Sequence, residues 1–340
     1  MCIYISILLM VLCNSKIQRI NEYTNPLSME NSNAMKGLAA LVVVIHHCCQ
    51  RMSNPGILIL FRYMGNLSVS LFFFYSGFGL MKSYNYKENY LKSLWVNRIP
   101  KIIIPFILSN IIFIVIYIII GERFDIYEVF LYILGFKLID DFKWYIISSI
   151  ILYIIFYFMF KYLKKIKAIL VILFSIIIYA VICRIIGTGT WWYKSIFCFF
   201  IGILVAEYYD FLFNYLRNRY LLFTSVTIIL FILICGLNII NGNIIMSIIS
   251  SVLFVLSCIY ILMKIEIRNG IIKFIGSISY EIYLLHRIPL EGLKSINNNY
   301  IYLIITVLLS ITLAYIFSKF SRKVINIYIN YNIKQGLLIQ

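Results

Sequence analysis

The chain has 340 residues, 63% of them hydrophobic and only 13% charged, with a mean hydropathy of +0.95. A soluble domain carries roughly a quarter of charged residues to cover its surface, so this composition excludes a water-soluble globule, and its low polarity excludes a disordered chain. The net charge of +17 sits in short Lys and Arg clusters between apolar runs. That arrangement points to anionic lipid head groups or an anionic ligand as partners and away from nucleic acid. Eight cysteines are scattered without CxxC or Cys/His spacing, so no metal site and no disulfide framework is expected.

In chain order, residues 1–28 open with an apolar stretch, 2–13, that is too short to span and lacks the basic start of a signal peptide. This segment is expected to be interfacial or unstructured, or to lie upstream of a start at Met29. An apolar run of about 18 residues can cross a hydrocarbon core of roughly 30 Å. Ten such runs follow, near 35–50, 62–81, 101–120, 143–160, 167–186, 191–208, 219–236, 243–263, 271–289 and 300–318. The expected fold is an all-α, polytopic membrane bundle of about ten transmembrane helices over residues 29–320. A short cytoplasmic tail, 321–340, is expected after it, with no appended catalytic domain. Of the 30 Lys and Arg, 21 fall on the N-terminal side of these runs and 9 on the other, which puts both termini in the cytoplasm by the positive-inside rule. The outer loop between the third and fourth runs holds Glu122, Asp125, Glu128, Asp140 and Asp141 and reads as a solvated acidic loop.

The most informative stretch is MKGLAALVVVIHH, Met35–His47. Lys36 and His47 are eleven residues apart; at about 100° per residue they share one helix face, separated by about 16 Å along the axis. His46 is turned about 100° from His47, off that face. Ionisable groups inside a span are costly and mark function, although Lys36 alone reads as a snorkelling helix end and His47 alone as an interfacial polar residue.

Lys36-x10-His47 resembles the first-helix motif of the acyltransferase family 3 membrane proteins, with Lys where that family usually has Arg. The charge is kept, and the bidentate fork is lost. Further segments match in the family's order: SVSLFFFYSGFGL (Ser68–Leu80), with Ser70 where Asp is common; NRIPKIIIPF (Asn97–Phe106); KWYI (Lys143–Ile146); FFIGILVAE (Phe199–Glu207); and IGSISYEIYLLHRIPL (Ile275–Leu290). The resemblance spans roughly residues 30–320.

This resemblance implies transfer of an acyl group, usually acetyl from acetyl-CoA, onto hydroxyls of carbohydrates or lipid-linked cell-envelope glycans at the bacterial cytoplasmic membrane. Acyl-CoA is then a co-substrate, with no permanently bound cofactor and no metal. Lys36, Arg98 and Lys101, near cytoplasmic helix ends, are expected to bind the CoA phosphates, the pantetheine arm threading outward to His47. His47 acts either as general base or as a transient covalent carrier. Ser76-Gly77 reads equally as a close-packing pair and as the lining of an acyl-CoA channel. Glu281 is a mid-membrane carboxylate able to pair with a basic group or a histidine. His286, Tyr280 and Tyr283 match the family segment, though packing explains them nearly as well. Trp144 and Tyr145 read first as aromatic-belt residues, and second as a sugar platform. The rival reading is a multi-pass small-solute transporter; no inverted repeat or matched pair of broken helices supports it.

Overall fold

The computed structural model describes residues 13–19 and 21–334. It is an all-α membrane bundle: hydrocarbon cannot hydrogen-bond an exposed backbone, so the spanning segments close their own N–H and C=O groups as helices. In chain order the helices used below are α1 (Met29–Arg51), α2 (Met64–Tyr86), α3 (Pro100–Ile119), α4 (Ile126–Leu134), α5 (Trp144–Tyr162), α6 (Lys165–Ile186), α7 (Phe197–Glu207), α8 (Tyr209–Asn218), α9 (Tyr220–Asn241), α10 (Ile244–Lys264), α11 (Gly270–Ser277), α12 (Ser279–Leu285), α13 (Arg287–Gly292) and α14 (Asn299–Lys334). Helix α9 packs one stripe, with Thr227 buried and Phe231 against Phe254, on α10, and turns the rest of its circumference outward, Leu221, Leu222, Ile229, Ile232 and Leu233 included. Lipid is the solvent that such a helix requires.

Among the described residues, eight helices are long and apolar enough to cross a membrane, or up to nine if the bent pair Trp191–Glu207 and Tyr209–Asn218 counts as one span. Two of the ten expected runs are therefore not continuous helices. The run 191–208 is interrupted around Ser195, and the chain turns by 87° into α8. The run 271–289 is cut at Ile278 and His286 into α11, α12 and α13. Side chains compete for the helix's own acceptors at those cuts: Ser279 Oγ donates to Gly276 O at 2.9 Å, and His286 Nδ1 donates to Tyr283 O at 2.8 Å. Broken backbone at membrane depth is tolerated where protein or a cavity surrounds it, and α12 is buried along almost its whole length.

The described part of segment 1–28 is tied to the bundle. A two-residue strand, β1 (Lys16–Ile17), pairs antiparallel with β2 (Ile265–Glu266), and Thr24 N donates to Met263 O at 2.9 Å. The apolar stretch 2–13 lies, except for Cys13, outside the described residues. Ser28 Oγ caps α1 by accepting from Asn31 N at 3.2 Å, and Asn31 Oδ1 accepts from Ile267 N at 3.0 Å. The start of α1 is thereby pinned to the turn that leads into α11.

Between helices in lipid there is little hydrophobic drive, so close backbone approach carries the packing. On α1, a Cβ at Gly37 would meet Ile272 O at 2.5 Å, and one at Gly276 of α11 would overlap Asn33 O. On the opposite flank, Gly77 of α2 sits on the Phe199 carbonyl and Gly202 of α7 on the Phe74 carbonyl. The first contact aligns α11–α12 alongside α1; the second locks α2 to α7. Backbone atoms cannot swing aside, so Gly276→Val is expected to destabilise by about 3 kcal/mol, the upper range for overpacking. Gly236→Val, where nothing lies within 4 Å of the new Cβ, is expected to leave stability nearly unchanged. Unfolding midpoints of the two variants in detergent check this.

Candidate functional site

The site is built along α1 with α2, α5 and α12 around it, and it has two chambers, named inner at the Lys36 end of α1 and outer at the His47 end. The inner one, a cavity of about 170 Å³, is lined by Lys36, Arg98, Ser76, Tyr153 and Tyr280 among others. Lys36 Nζ lies 5.7 Å from the Tyr75 ring centre. Arg98 ends a widened turn in which Ile99 N donates to Leu94 O at 3.0 Å, a distortion that often marks functional positions. Its guanidinium lies over the Tyr153 ring at 5.6 Å, and Nη2 donates to the Tyr153 hydroxyl at 3.4 Å. Neither cation forms an ion pair with a carboxylate among the described residues, and no Asp or Glu lines the chamber. Aromatic faces and a phenol compensate a cation only weakly, by about 0.5–2 kcal/mol each.

The outer chamber, about 540 Å³, is lined by His46, His47, Gln50, Phe142 and Trp144 among others. The His47 ring stacks on Phe142, centres 3.8 Å apart and planes within 19°, and the His286 ring lies 5.3 Å from it at 25°. His47 Nδ1 is 2.8 Å from Gln50 Oε1. With the amide oxygen accepting, the proton sits on Nδ1 and Nε2 is left as the basic nitrogen. His46 reaches the same chamber, which corrects the expectation that its 100° offset takes it elsewhere: the chamber wraps around α1. Its Nδ1 donates to Phe61 O at 2.9 Å, and the ring edge bearing Nε2 packs on Gly65, where a Cβ would overlap it.

Several expected groupings come out differently. Lys101 is exposed at the start of α3 and does not line the inner chamber with Lys36 and Arg98. Ser76 and Gly77 divide the two roles weighed for them: Gly77 packs on α7, while Ser76 lines the inner chamber, its Oγ 3.2 Å from the Tyr153 hydroxyl. Glu281 is buried, and among the described residues no hydrogen bond or ion pair joins it to any histidine. His286 is fully buried and is bonded through Nδ1 to backbone carbonyls. Trp144, 8% exposed, lines the outer chamber, and Tyr145 lines the inner one, so neither occupies an outward belt position.

The acidic outer loop is not wholly solvated either. Asp140 is 0% exposed and pairs with Arg287 Nη1 at 3.0 Å, while its Oδ1 also accepts from Phe142 N at 3.0 Å. Lys143, also 0% exposed, donates to Ser109 Oγ at 2.9 Å and Asn110 Oδ1 at 2.8 Å and lies over the Phe113 ring. Together these bonds hold the loop that presents Phe142 to His47. Sequence reasoning misses Phe142, which nothing local distinguishes; it names Asp140 only as one acid of a solvated loop and Lys143 only as the start of the KWYI segment, without the buried bonds that each makes. Gln50 is missed as well, although its spacing of three residues from His47 is a signal that could have found it.

The family model described as an acyltransferase domain matches residues 29–319, and the chain belongs to that family, the one its motifs resemble. It is a multi-pass membrane acyltransferase. No curated protein and no solved structure matches the chain.

Removing the carboxylate of Asp140 leaves Arg287 without its buried partner. Asp140→Ala is expected to cost about 3 kcal/mol, the low end for a broken buried pair, since Glu291 lies within 3.6 Å of Arg287 as a second partner. Asp141→Ala, at an exposed neighbour, is expected to change stability by no more than about 0.5 kcal/mol. Thermal unfolding in detergent separates the two.

Proposed function

We propose that this acyltransferase takes an acyl group, acetyl in the simplest case, from acyl-CoA in the cytoplasm and delivers it to a hydroxyl of a carbohydrate or lipid-linked glycan at the outer face of the bacterial cytoplasmic membrane. The observation that carries this reading is the placement of Lys36 and the oriented His47 in separate chambers along a single helix, α1, with Arg98 added to the Lys36 chamber from the turn before α3. The phosphates of a nucleotide-linked donor suit Lys36 and Arg98, since charge-assisted hydrogen bonds to phosphate are the strong ones. The broader chamber, walled by Trp144 and by amide and hydroxyl side chains such as Asn66 and Ser250, suits a sugar, which presents apolar faces and many hydroxyls.

In this mechanism the acceptor hydroxyl attacks the thioester carbonyl as His47 Nε2 takes its proton. The tetrahedral intermediate collapses with cleavage of the C–S bond, and the CoA thiolate leaves and recovers a proton from the imidazolium. Gln50 holds the Nδ1–H tautomer throughout. A covalent acyl-histidine variant uses the same nitrogen as nucleophile. His47 is favoured over His46 because the Nε2 edge of His46 is packed on Gly65. The topology that goes with this reading has both termini cytoplasmic and the chain crossing ten times. In that count α11–α13 is one broken crossing and α7 with the turn before it another, consistent with the 21-to-9 bias of basic residues.

Purified protein in vesicles, given labelled acetyl-CoA and an envelope glycan extract, tests this reading. His47→Ala is expected to lower kcat by roughly 10²–10⁴, the worth of a positioned base, and His46→Ala by less than about tenfold. Lys36→Ala and Arg98→Ala are each expected to raise KM for acetyl-CoA about 10–100-fold, from the loss of one charged hydrogen bond. Full activity in His47→Ala, or no transfer by the wild-type protein, overturns the reading. Mass spectrometry of envelope glycans from deletion and complemented strains, searched for a single acetyl difference, identifies the acceptor.

A further inference from the structure

The two chambers are distinct cavities along α1. Comparing their walls, one residue, Tyr283 of α12, lines both. Its ring sits among two others: Tyr145 at 5.4 Å and 73°, and Phe72 at 6.5 Å and 63°, with Phe72 and Tyr145 themselves 5.9 Å apart. All three are less than a tenth exposed. Three mutually packed rings from three different helices thus stand where the two chambers share a wall.

Tyr283 is also held at both ends. Its hydroxyl donates to the Phe142 carbonyl, and its own carbonyl accepts from His286 Nδ1 at 2.8 Å. Phe142 is the ring stacked on His47. Swinging the phenol out of the junction breaks its bond to the residue that backs the base, so passage of the donor and the setting of His47 are linked through one side chain.

We propose that Tyr283 is the specificity-determining residue for acyl size: with Phe72 and Tyr145 it forms a closed partition that the acyl end of the donor must displace to reach His47. The proposal rests on the functional reading above, in which the donor enters from the Lys36 chamber. A two-carbon acyl group needs a small displacement of the phenol. Each added methylene needs a larger one, against packed neighbours that yield poorly. The physical expectation is a steep fall in rate with acyl length, set at this junction rather than in the roomier outer chamber.

Two measurements test it. The first compares transfer from acetyl-CoA and butanoyl-CoA in vesicles for the wild-type protein, Tyr283→Ala and Tyr283→Phe. Tyr283→Ala is expected to raise the butanoyl-to-acetyl rate ratio at least tenfold. Tyr283→Phe, which keeps the ring and drops only the tether to Phe142, is expected to leave that ratio within about threefold and to change kcat for acetyl. A Tyr283→Ala ratio equal to that of wild type overturns the proposal.

The second measurement needs no catalysis. A permanently charged methanethiosulfonate reagent is applied from the His47 side to protein carrying Ser76→Cys in the inner chamber, and modification is mapped by peptide mass. Cys235 lines the outer chamber and serves as the internal control for access. With Tyr283 intact, labelling at position 76 is expected to be slow relative to Cys235, and Tyr283→Ala is expected to accelerate it at least tenfold. Equal labelling with and without Tyr283 overturns the partition. Should wild-type protein transfer no acyl group from any acyl-CoA, the functional reading fails, while the labelling result still decides whether Tyr283 closes the junction.

Discussion

Hydrocarbon supplies no hydrogen bonds and no counter-ions, so any charge carried into this bundle must find its compensation inside the protein. Around the outer chamber that requirement is met: Lys143 is held by Ser109 and Asn110, and Arg287 by Asp140. In the inner chamber it is not. Lys36 and Arg98 face aromatic rings and a phenol, with no carboxylate beside them among the described residues. On the proposed reading, that difference separates a structural use of charge from a receptive one, with Lys36 and Arg98 taking the phosphates of an incoming donor.

The same economy governs the backbone. Glycine contacts bring α11 against the inner half of α1 and lock α2 to α7, and the cost of breaking the segment 270–292 into three helices is offset by the burial of its middle helix, α12. Because that segment is broken, α12 can present Tyr283 toward α5 and α2 while His286 turns back on its own carbonyls and reaches the ring of His47. A straight helix over the same residues would have kept one stripe along α1 and could not have placed Tyr283 in the wall that the chambers share. The geometry of the histidine and that of the partition are in this sense one arrangement.

Much of this was legible in the residues themselves. Apolar run length and the Lys36-to-His47 spacing place the membrane bundle and the polar face of α1, since both follow from helix pitch and bilayer thickness alone. The family motifs carry Arg98, Trp144 and the Tyr283–His286 segment to the site region. Continuity was not legible: apolar composition reads the same whether a span is one helix or three, and the breaks at Ile278 and His286 depend on side chains bonding to local carbonyls. Long-range pairings were invisible for a related reason. Asp140 looked like one acid in a wet loop because its partner, Arg287, lies 147 residues away. Lys101 looked equivalent to Arg98 because three residues along a helix start seemed a short distance, whereas the widened turn ending at Arg98 and the helix beginning at Pro100 send the two in different directions relative to the chamber.

The central claim is that donor and acceptor occupy opposite sides of one closed junction. Sided vesicles address it most directly: oriented protein is supplied with membrane-impermeant acetyl-CoA on one face only, with the glycan acceptor on the other, and acetyl transfer is measured for both arrangements. The account predicts transfer when acetyl-CoA is on the face bearing Lys36 and Arg98, and none when it is supplied only on the His47 face. Equal transfer from both faces, or transfer only from the His47 face, would contradict it.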